Sequence, residues 1–158
     1  MRENLALTTL SAHSVSDTEM LEALQSVGLL SKFEQLAASS GQTWLSALDV
    51  KLVPADMLTK GQTQLFAMAR AMLSPGQIVL VDEATSVLDR SSEALVQELL
   101  RREFAGRTIV AIAHHLQTIL DFDTVVVMEN GRVAEMGHPD ELRQREGSLF
   151  RELLRAAE

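Results

Sequence analysis

The chain contains no cysteine, and none of its apolar runs approaches the roughly 20 residues that a membrane-spanning helix requires. The first absence excludes disulfide bonds and thiolate metal sites, which fits a reducing compartment. The second predicts no direct membrane insertion by this segment, and the N-terminal stretch MRENLALTTL lacks the apolar block of a secretory signal. We therefore expect the chain, if it exists alone, to be soluble and cytoplasmic.

Basic residues are also scarce, with 14 Lys and Arg against 22 Asp and Glu and a formal net charge of −8. This balance opposes any broad affinity for nucleic-acid phosphates or for anionic membrane surfaces. The 158 residues, 46% of them hydrophobic, suffice for one core of ordinary size. We expect one domain, or part of a larger one, that does not bind nucleic acid.

The N-terminal part is patterned mainly for helices. Ser16 and Glu19 have the spacing of a capping box at the start of one helix, and Gly28 lies where that helix would end. A second short helix is expected at Lys32–Ala38, whereas residues 39–57 show no firm period. Helical spacing returns after Leu58, in a helix that opens near Gly61.

The second half alternates short apolar runs with helical patterns. Ile78–Val81 is apolar throughout, as expected of a strand covered on both faces, and Thr108–Ala113 is apolar after Thr108, as expected of a second buried strand. A helix from about Ser91 to Phe104 separates them. Strand, helix and strand in this order predict a right-handed βαβ unit in a parallel sheet.

A hairpin and two helices are expected to complete the chain. Asn130-Gly131, the strongest two-residue turn signal, lies between Val125–Met128 and Arg132–Glu135 and predicts a hairpin at the antiparallel edge of the sheet. Pro139 predicts the start of the next helix, which precedes a final amphipathic one.

Two adjacent carboxylates, Asp82 and Glu83, directly follow the first strand. Open α/β sheets bind ligands at the carboxyl ends of their strands, where Asp82 can hold Mg²⁺ and Glu83 can deprotonate an attacking water. The alternative is a strand that ends in two solvated acids. His114 follows the second strand at the same edge, where it can hydrogen-bond a phosphate or a water, although a lone histidine there is more often structural.

The loop Leu58-Thr59-Lys60-Gly61-Gln62 opens the helix upstream of these acids. Gly61 allows close approach of a ligand, and a helix N-terminus presents N–H groups and positive potential to a phosphate. Thr59 and Gln62 also have capping-box spacing, and alone the loop favours that simpler interpretation. The two interpretations compete for the Thr59 hydroxyl.

The segments LTKGQ, ARAML, IVLVDEATSVLD and IVAIAHHLQTI occur in this order. Together they resemble the ATP-binding cassette (ABC) ATPases, with signature motif, Walker B motif, D-loop and switch histidine in sequence. The resemblance covers essentially the whole chain and is closest to the second nucleotide-binding domain of the subfamily C multidrug-resistance-associated exporters. It implies an α/β, P-loop NTPase-like (RecA-like) partial parallel sheet with flanking helices. Residues 1–73 would be an α-helical subdomain segment and residues 74–158 the C-terminal half of the core.

The resemblance also implies roles and cofactors. Asp82 would be the Mg²⁺-associated acid, Glu83 the general base and His114 the switch histidine, with ATP and Mg²⁺ bound by the complete domain. Ser86 to Asp89 would form the D-loop at the dimer interface. The γ-phosphate of ATP on a partner domain would be contacted by the signature residues Thr59, Lys60, Gly61 and Gln62.

Some positions depart from the family pattern. Thr59 stands in place of the usual serine, and Thr63 and His115 stand where basic residues are common. The chain also lacks GxxxxGK[ST], the P-loop that cradles phosphates. We therefore expect that it begins in mid-domain and lacks the P-loop strand, which leaves apolar edges and faces exposed and prone to aggregate unless a partner covers them. Alone, it should neither bind ATP tightly nor hydrolyse it.

Three functions are compatible with these features. The first is the C-terminal part of an ATP-hydrolysing domain that powers export, on the cytosolic face of a membrane, with a second nucleotide-binding domain and transmembrane domains as partners. The alternative is a non-catalytic half-domain that binds or regulates another ATPase. A lobe of an SMC-type chromosome ATPase ranks last, because no heptad run precedes Leu58.

Overall fold

The computed structural model describes residues 1–5, 15–39, 44–52, 54–82, 88–113 and 116–157. The chain divides into two compact units, Met1–Val110 and Ala111–Glu158. The helices are α1 (Arg2–Leu5), α2 (Asp17–Ser26), α3 (Leu30–Ser39), α4 (Pro54–Met57), α5 (Lys60–Met72), α6 (Arg90–Glu103), α7 (Pro139–Gln144) and α8 (Leu149–Ala156), with 3₁₀ turns at Trp44–Asp49 and Leu116–Ile119. The strands are β1 (Ile78–Asp82), β2 (Thr108–Ile112), β3 (Val125–Glu129) and β4 (Arg132–Gly137). In the described ranges, no helix combines the length and the hydropathy needed to cross a bilayer.

Helix α2 begins and ends with the predicted signals. The Ser16 N–H donates to the Glu19 carboxylate at 2.7 Å, and the Glu19 N–H donates back to the Ser16 hydroxyl at 3.3 Å. Beyond the other end, Gly28 takes a φ of 71° and the Leu29 N–H donates to the Leu24 carbonyl at 2.9 Å. This last bond is typical of a Schellman motif, so the capping box and the terminal glycine are both confirmed.

The segment between α3 and α5 differs from its sequence pattern. Residues 39–57 have no firm period, yet the structure forms the 3₁₀ turn Trp44–Asp49 and the four-residue α4 there. Elements this short span about one or two turns, too few for a helical period to show in the sequence.

The first unit is built around a largely helical core. At its centre the ring of Phe33 on α3 meets that of Phe66 on α5 edge to face, with 6.1 Å between centroids. Helix α6 adds Val96, Leu99 and Leu100, all buried.

Strands β1 and β2 pair in a two-stranded parallel sheet, which confirms the predicted strand, helix and strand of an α/β fold. One face of the sheet packs on the core through Val79, Val81 and Ile109. The expectation that both faces are covered is wrong. Along each strand every second residue faces solvent, and four large side chains are more than half exposed: Ile78 (67%), Leu80 (77%), Val110 (51%) and Ile112 (61%).

The second unit contains the predicted hairpin. Strands β3 and β4 are antiparallel, and Asn130 and Gly131 turn the chain with positive φ angles of 49° and 75°, as a type I′ turn requires. The hairpin is not the edge of the β1–β2 sheet, because the described strands form two separate two-stranded sheets. One face of the hairpin packs on α7 and α8 in a core of Val125, Val127, Leu142, Phe150 and Leu154.

Helix α8 is attached to the hairpin through Glu135 on β4. The Glu135 carboxylate accepts hydrogen bonds from the Ser148 hydroxyl at 2.9 Å and from the Phe150 N–H at 3.0 Å. The Phe150 bond, with the Ser148 hydroxyl and the charge of Arg145, holds the pKa of Glu135 below its ordinary value. The helix N-terminus therefore stabilises the ionised carboxylate, as the helix dipole predicts.

Candidate functional site

The first turn of α5 carries the loop that the sequence singles out. Thr59 is the N-cap, and a complete capping box joins it to Gln62. The Thr59 N–H donates to the Gln62 side-chain oxygen at 3.1 Å, and the Gln62 N–H donates to the Thr59 hydroxyl at 3.2 Å. The capping interpretation of this loop is confirmed.

A lysine on α3 also contacts the first turn of α5. The ammonium of Lys32, on α3, donates to the Gln62 side-chain oxygen at 2.6 Å. This oxygen therefore accepts from both Lys32 and Thr59, while the Thr63 hydroxyl donates to the Thr59 carbonyl at 3.0 Å. The first turn is held by a small network rather than by the capping box alone.

The capping box does not consume the Thr59 hydroxyl. A hydroxyl group has one donor hydrogen and two acceptor lone pairs, and the bond from the Gln62 N–H uses only one lone pair. The hydroxyl hydrogen is left for a further acceptor. Capping and phosphate binding, expected from the sequence to compete for this group, are therefore compatible in this geometry.

A depression of about 480 Å³ lies at the N-terminus of α5, and we call it the α5 depression. Its walls come from the connection between α2 and α3, the N-terminal part of α5 and the start of α6, and thus include two helix N-caps, Thr59 and Asp89. The structure therefore brings the whole predicted signature loop beside the end of the predicted D-loop. The lining residues that carry this relationship are Thr59, Lys60, Gly61, Gln62, Leu88 and Asp89.

Asp89 caps α6 from within this depression. Its carboxylate accepts from the Ser92 N–H at 2.8 Å and from the Ser91 hydroxyl at 2.7 Å. The Ser92 backbone bond, followed by the Ser91 hydroxyl, lowers the pKa of Asp89, so this carboxylate is ionised at neutral pH. An anionic ligand is consequently favoured on the α5 side of the depression and opposed on the α6 side.

Asp82 is the last residue of β1, and its side chain is exposed. Asp82 is not among the described residues that line the α5 depression. The other expected site residues, Glu83, Ser86 and His114, lie outside the described residues. Their roles stay predictions.

The residues that line the α5 depression suit a phosphate better than a free metal ion. The first-turn N–H groups of Lys60 and Gly61 have no acceptor within a helix, and the Thr59 hydroxyl and Lys60 ammonium add donors. In the described part of the chain no group of three or more acidic or histidine side chains could hold a metal. Asp82 alone still suits Mg²⁺, because Mg²⁺ is commonly held by one or two carboxylates together with phosphate oxygens and waters.

Sequence reasoning missed the contact made by Lys32. Thirty positions separate Lys32 from Gln62, and no local pattern connects them. The contact depends on how α3 packs against α5, which the sequence does not reveal.

Similar proteins with curated names are transporters or ATP-binding proteins. ABC multidrug transporter B from Aspergillus fumigatus is 41% identical over 140 residues, which cover 89% of this chain and 9% of that protein. Heterocyst differentiation ATP-binding protein HepA from Nostoc sp. is 39% identical over 152 residues, covering 96% of this chain and 23% of that protein. ATP-binding cassette sub-family C member 2 from Rattus norvegicus is 41% identical over 95 residues, or 60% of this chain and 6% of that protein.

No protein-family model matches the chain. The chain spans less than a quarter of the length of each of these three relatives.

Proposed function

This chain is a homologue of the ABC transporters, including members of sub-family C, and we propose that it forms the C-terminal part of their ATP-hydrolysing, nucleotide-binding domain. Residues 74–158 would belong to a RecA-like core, and residues 1–73 to its α-helical subdomain. The observation that carries the proposal is the α5 depression, where the residues of two motifs distant in sequence share one surface.

In this proposal the first turn of α5 recognises ATP bound to a partner domain. The N–H groups of Lys60 and Gly61, the Thr59 hydroxyl hydrogen and the Lys60 ammonium donate to γ-phosphate oxygens. A phosphate there is stabilised by the N-terminal end of the helix dipole. No acidic residue occupies the first turn of α5, so no carboxylate of that turn opposes the ligand.

Hydrolysis would depend on residues that follow β1 and β2. Asp82 would hold Mg²⁺, which when bound neutralises charge on the phosphate oxygens. The Glu83 carboxylate would accept a proton from the attacking water, and His114 would donate a hydrogen bond to the γ-phosphate or to that water. Glu83 would therefore be the general base and His114 an orienting group.

The P-loop has to be supplied from outside these 158 residues, because the sequence contains no GxxxxGK[ST]. Without it the β- and γ-phosphates lack most of their hydrogen-bond donors. We propose that ATP is hydrolysed only in a complex with a second nucleotide-binding domain and with transmembrane domains. The site would then work on the cytosolic face of a membrane and power export.

One alternative function is that of a binding module. A half-domain with a formed signature loop, but without the phosphate cradle, can bind a nucleotide-loaded partner without hydrolysing ATP itself. Both functions require docking on ATP, so docking is the property to test first, and hydrolysis by the mixed complex separates them.

Sedimentation of the chain with a complete nucleotide-binding domain from a relative tests docking. The partner should carry a Gln in place of its own general base, so that it retains Mg-ATP. We expect association that requires ATP and that is lost in Gly61→Glu, because a carboxylate in the first turn repels phosphate while it suits the helix dipole. The matched control, Gly76→Glu, places the same charge on an exposed loop and should associate normally.

Association that is independent of ATP, or equal in both variants, would contradict the proposal. Where docking is found, turnover decides between the two functions when the P-loop segment of a relative is joined to this chain and the partner keeps Gln in place of its own general base. Turnover lost in Glu83→Gln of this chain supports the catalytic function, and unchanged turnover supports the binding module.

A further inference from the structure

Lys32 is a cation placed where helix electrostatics disfavour one. Its ammonium is 2.6 Å from the side-chain oxygen of Gln62, in the first turn of α5. Positive charge near a helix N-terminus interacts unfavourably with the dipole. The same turn already contains Lys60 and has no acidic residue to compensate. The helix dipole therefore does not explain why a lysine is directed there.

The packing of α3 on α5 determines this contact. Phe33 follows Lys32 in the chain and packs edge to face on Phe66, with 6.1 Å between ring centroids. Gln62 and Phe66 are one helical turn apart and so lie on the same side of α5. Both side chains of the aromatic pair are buried, so this ring contact links α3 to α5 beside Lys32.

The Lys32 contact determines where the Gln62 side chain points. The Gln62 side-chain oxygen accepts hydrogen bonds from Lys32 and from the Thr59 N–H at the same time. The Lys32 bond thus holds this oxygen in the position that the capping box requires. In the capping box the Gln62 N–H occupies a lone pair of the Thr59 hydroxyl. The hydroxyl hydrogen then points away from the Gln62 N–H and is left for an acceptor at the α5 depression.

We propose that Lys32 is a positioning residue for the loop 58–62, holding Gln62 so that the Thr59 hydroxyl and the first-turn N–H groups are preset for a phosphate. Lys32 acts through Gln62 and does not itself touch the ligand. The inference rests on the proposed function for its ligand. The two hydrogen bonds that the Gln62 side-chain oxygen accepts, from Lys32 and from the Thr59 N–H, can be tested in the chain alone, and we call them the relay.

The relay is tested by hydrogen exchange at the Thr59 amide of the isolated full chain. Lys32→Met removes the ammonium and keeps an apolar side chain, and it should raise exchange at this amide about tenfold, the scale of one hydrogen bond. Lys32→Arg, which retains a donor, should restore most of the protection. The control Lys51→Met removes an equal charge from an exposed site and should change nothing. The Ser92 amide, bonded to Asp89, should exchange equally in all four proteins.

The functional consequence is tested by ATP-dependent association with the complete nucleotide-binding domain described above. We expect Lys32→Met to weaken association about tenfold, Lys32→Arg to recover it at least in part, and Lys51→Met to match the original chain. A structural role alone would lower the unfolding midpoint without this selective change in affinity.

The outcomes separate the two ideas. Unchanged Thr59 exchange in Lys32→Met overturns the relay whatever the association data show. Weaker association with unchanged exchange indicates a long-range charge effect and also overturns it. If the original chain shows no ATP-dependent association, the proposed function fails, and the positioning role fails with it even where the relay is present.

Discussion

The backbone N–H of Thr59 donates to the side-chain oxygen of Gln62 at 3.1 Å, and the Gln62 N–H returns the bond to the Thr59 hydroxyl at 3.2 Å. Replacing Thr59 with Val keeps the shape and removes the hydroxyl. We expect Thr59→Val to lower the free energy of unfolding by about 1 kcal/mol, the usual effect of losing an N-cap. Urea unfolding followed by circular dichroism measures the change.

Thr59→Ser is the matched control, because it removes the methyl group and keeps the hydroxyl. It should retain the stability of the original chain and its ATP-dependent association. Equal losses in the Val and Ser variants would show that the methyl group, not the hydroxyl, is what α5 requires.

Glu135 predicts a dependence of stability on pH. Its pKa is lowered from an ordinary value of 4.5, so the ionised form is stabilised by folding. This contribution is fully present above about pH 4.5 and is lost as the pH falls through the lower pKa of the folded state. Glu135→Gln should therefore be less stable than the original chain at pH 7, and the difference should shrink towards pH 3.

Urea midpoints measured at several pH values between 3 and 7 provide this comparison. Glu129→Gln serves as the control, since Glu129 is exposed on β3 and neutralising it should change the midpoint little at any pH. A gap between the original chain and Glu135→Gln that stays constant from pH 7 to pH 3 would rule out the titration of Glu135 as its cause.

Phe33 should be among the most costly core positions to truncate. It is fully buried and meets Phe66 edge to face. We expect Phe33→Ala to destabilise the chain by about 3–5 kcal/mol through lost burial and a cavity. Leu153→Ala, at a site that is 47% exposed, should cost much less. Comparable losses in the two variants, measured by chemical unfolding, would place Phe33 outside the cooperative core.

The exposed outer face of the β1–β2 sheet predicts that the isolated chain associates with itself. Exposed apolar surface and open strand edges promote aggregation. Replacing both Leu80 and Ile112 with Thr should reduce the binding of a hydrophobic dye and the light scattered by aggregates. The stability should change little, since Thr is tolerated in strands. Val79→Thr, on the inward face, should destabilise instead. A monodisperse original chain with a cooperative thermal transition would contradict this prediction.

The isolated chain should have no measurable ATPase activity and only weak affinity for ATP, because the sequence lacks a P-loop. Phosphate release and titration calorimetry, each with Mg²⁺, measure the two quantities. Metal-dependent turnover by the purified chain that disappears in Glu83→Gln would overturn the prediction.

Local features were the ones that sequence reasoning predicted well. The capping boxes at Ser16 and Thr59 and the Asn130-Gly131 turn depend on residues within three positions of each other, and all three are confirmed. Their physical causes are hydrogen-bond geometry and backbone sterics, which act over one turn.

Features that depend on distant partners were missed or misjudged. An apolar run such as Ile78–Val81 shows that a strand prefers burial, but not whether other elements cover both its faces. The pairing of the four described strands in two sheets and the contact of Lys32 with Gln62 likewise depend on residues distant in sequence. The assignments of Glu83, Ser86 and His114 stay predictions from family resemblance.

Arg107 gives α5 a second anchor, at the end opposite the capping box. Its guanidinium donates to the Ser74 carbonyl at 2.9 Å, within the segment that closes α5, and lies 5.3 Å from the centre of the Phe104 ring. A helix of 13 residues is about 20 Å long. Lys32 bonds the first turn of α5 and Arg107 bonds the segment that follows its last turn, so the two ends of this helix are tied to α3 and to the residue just before β2.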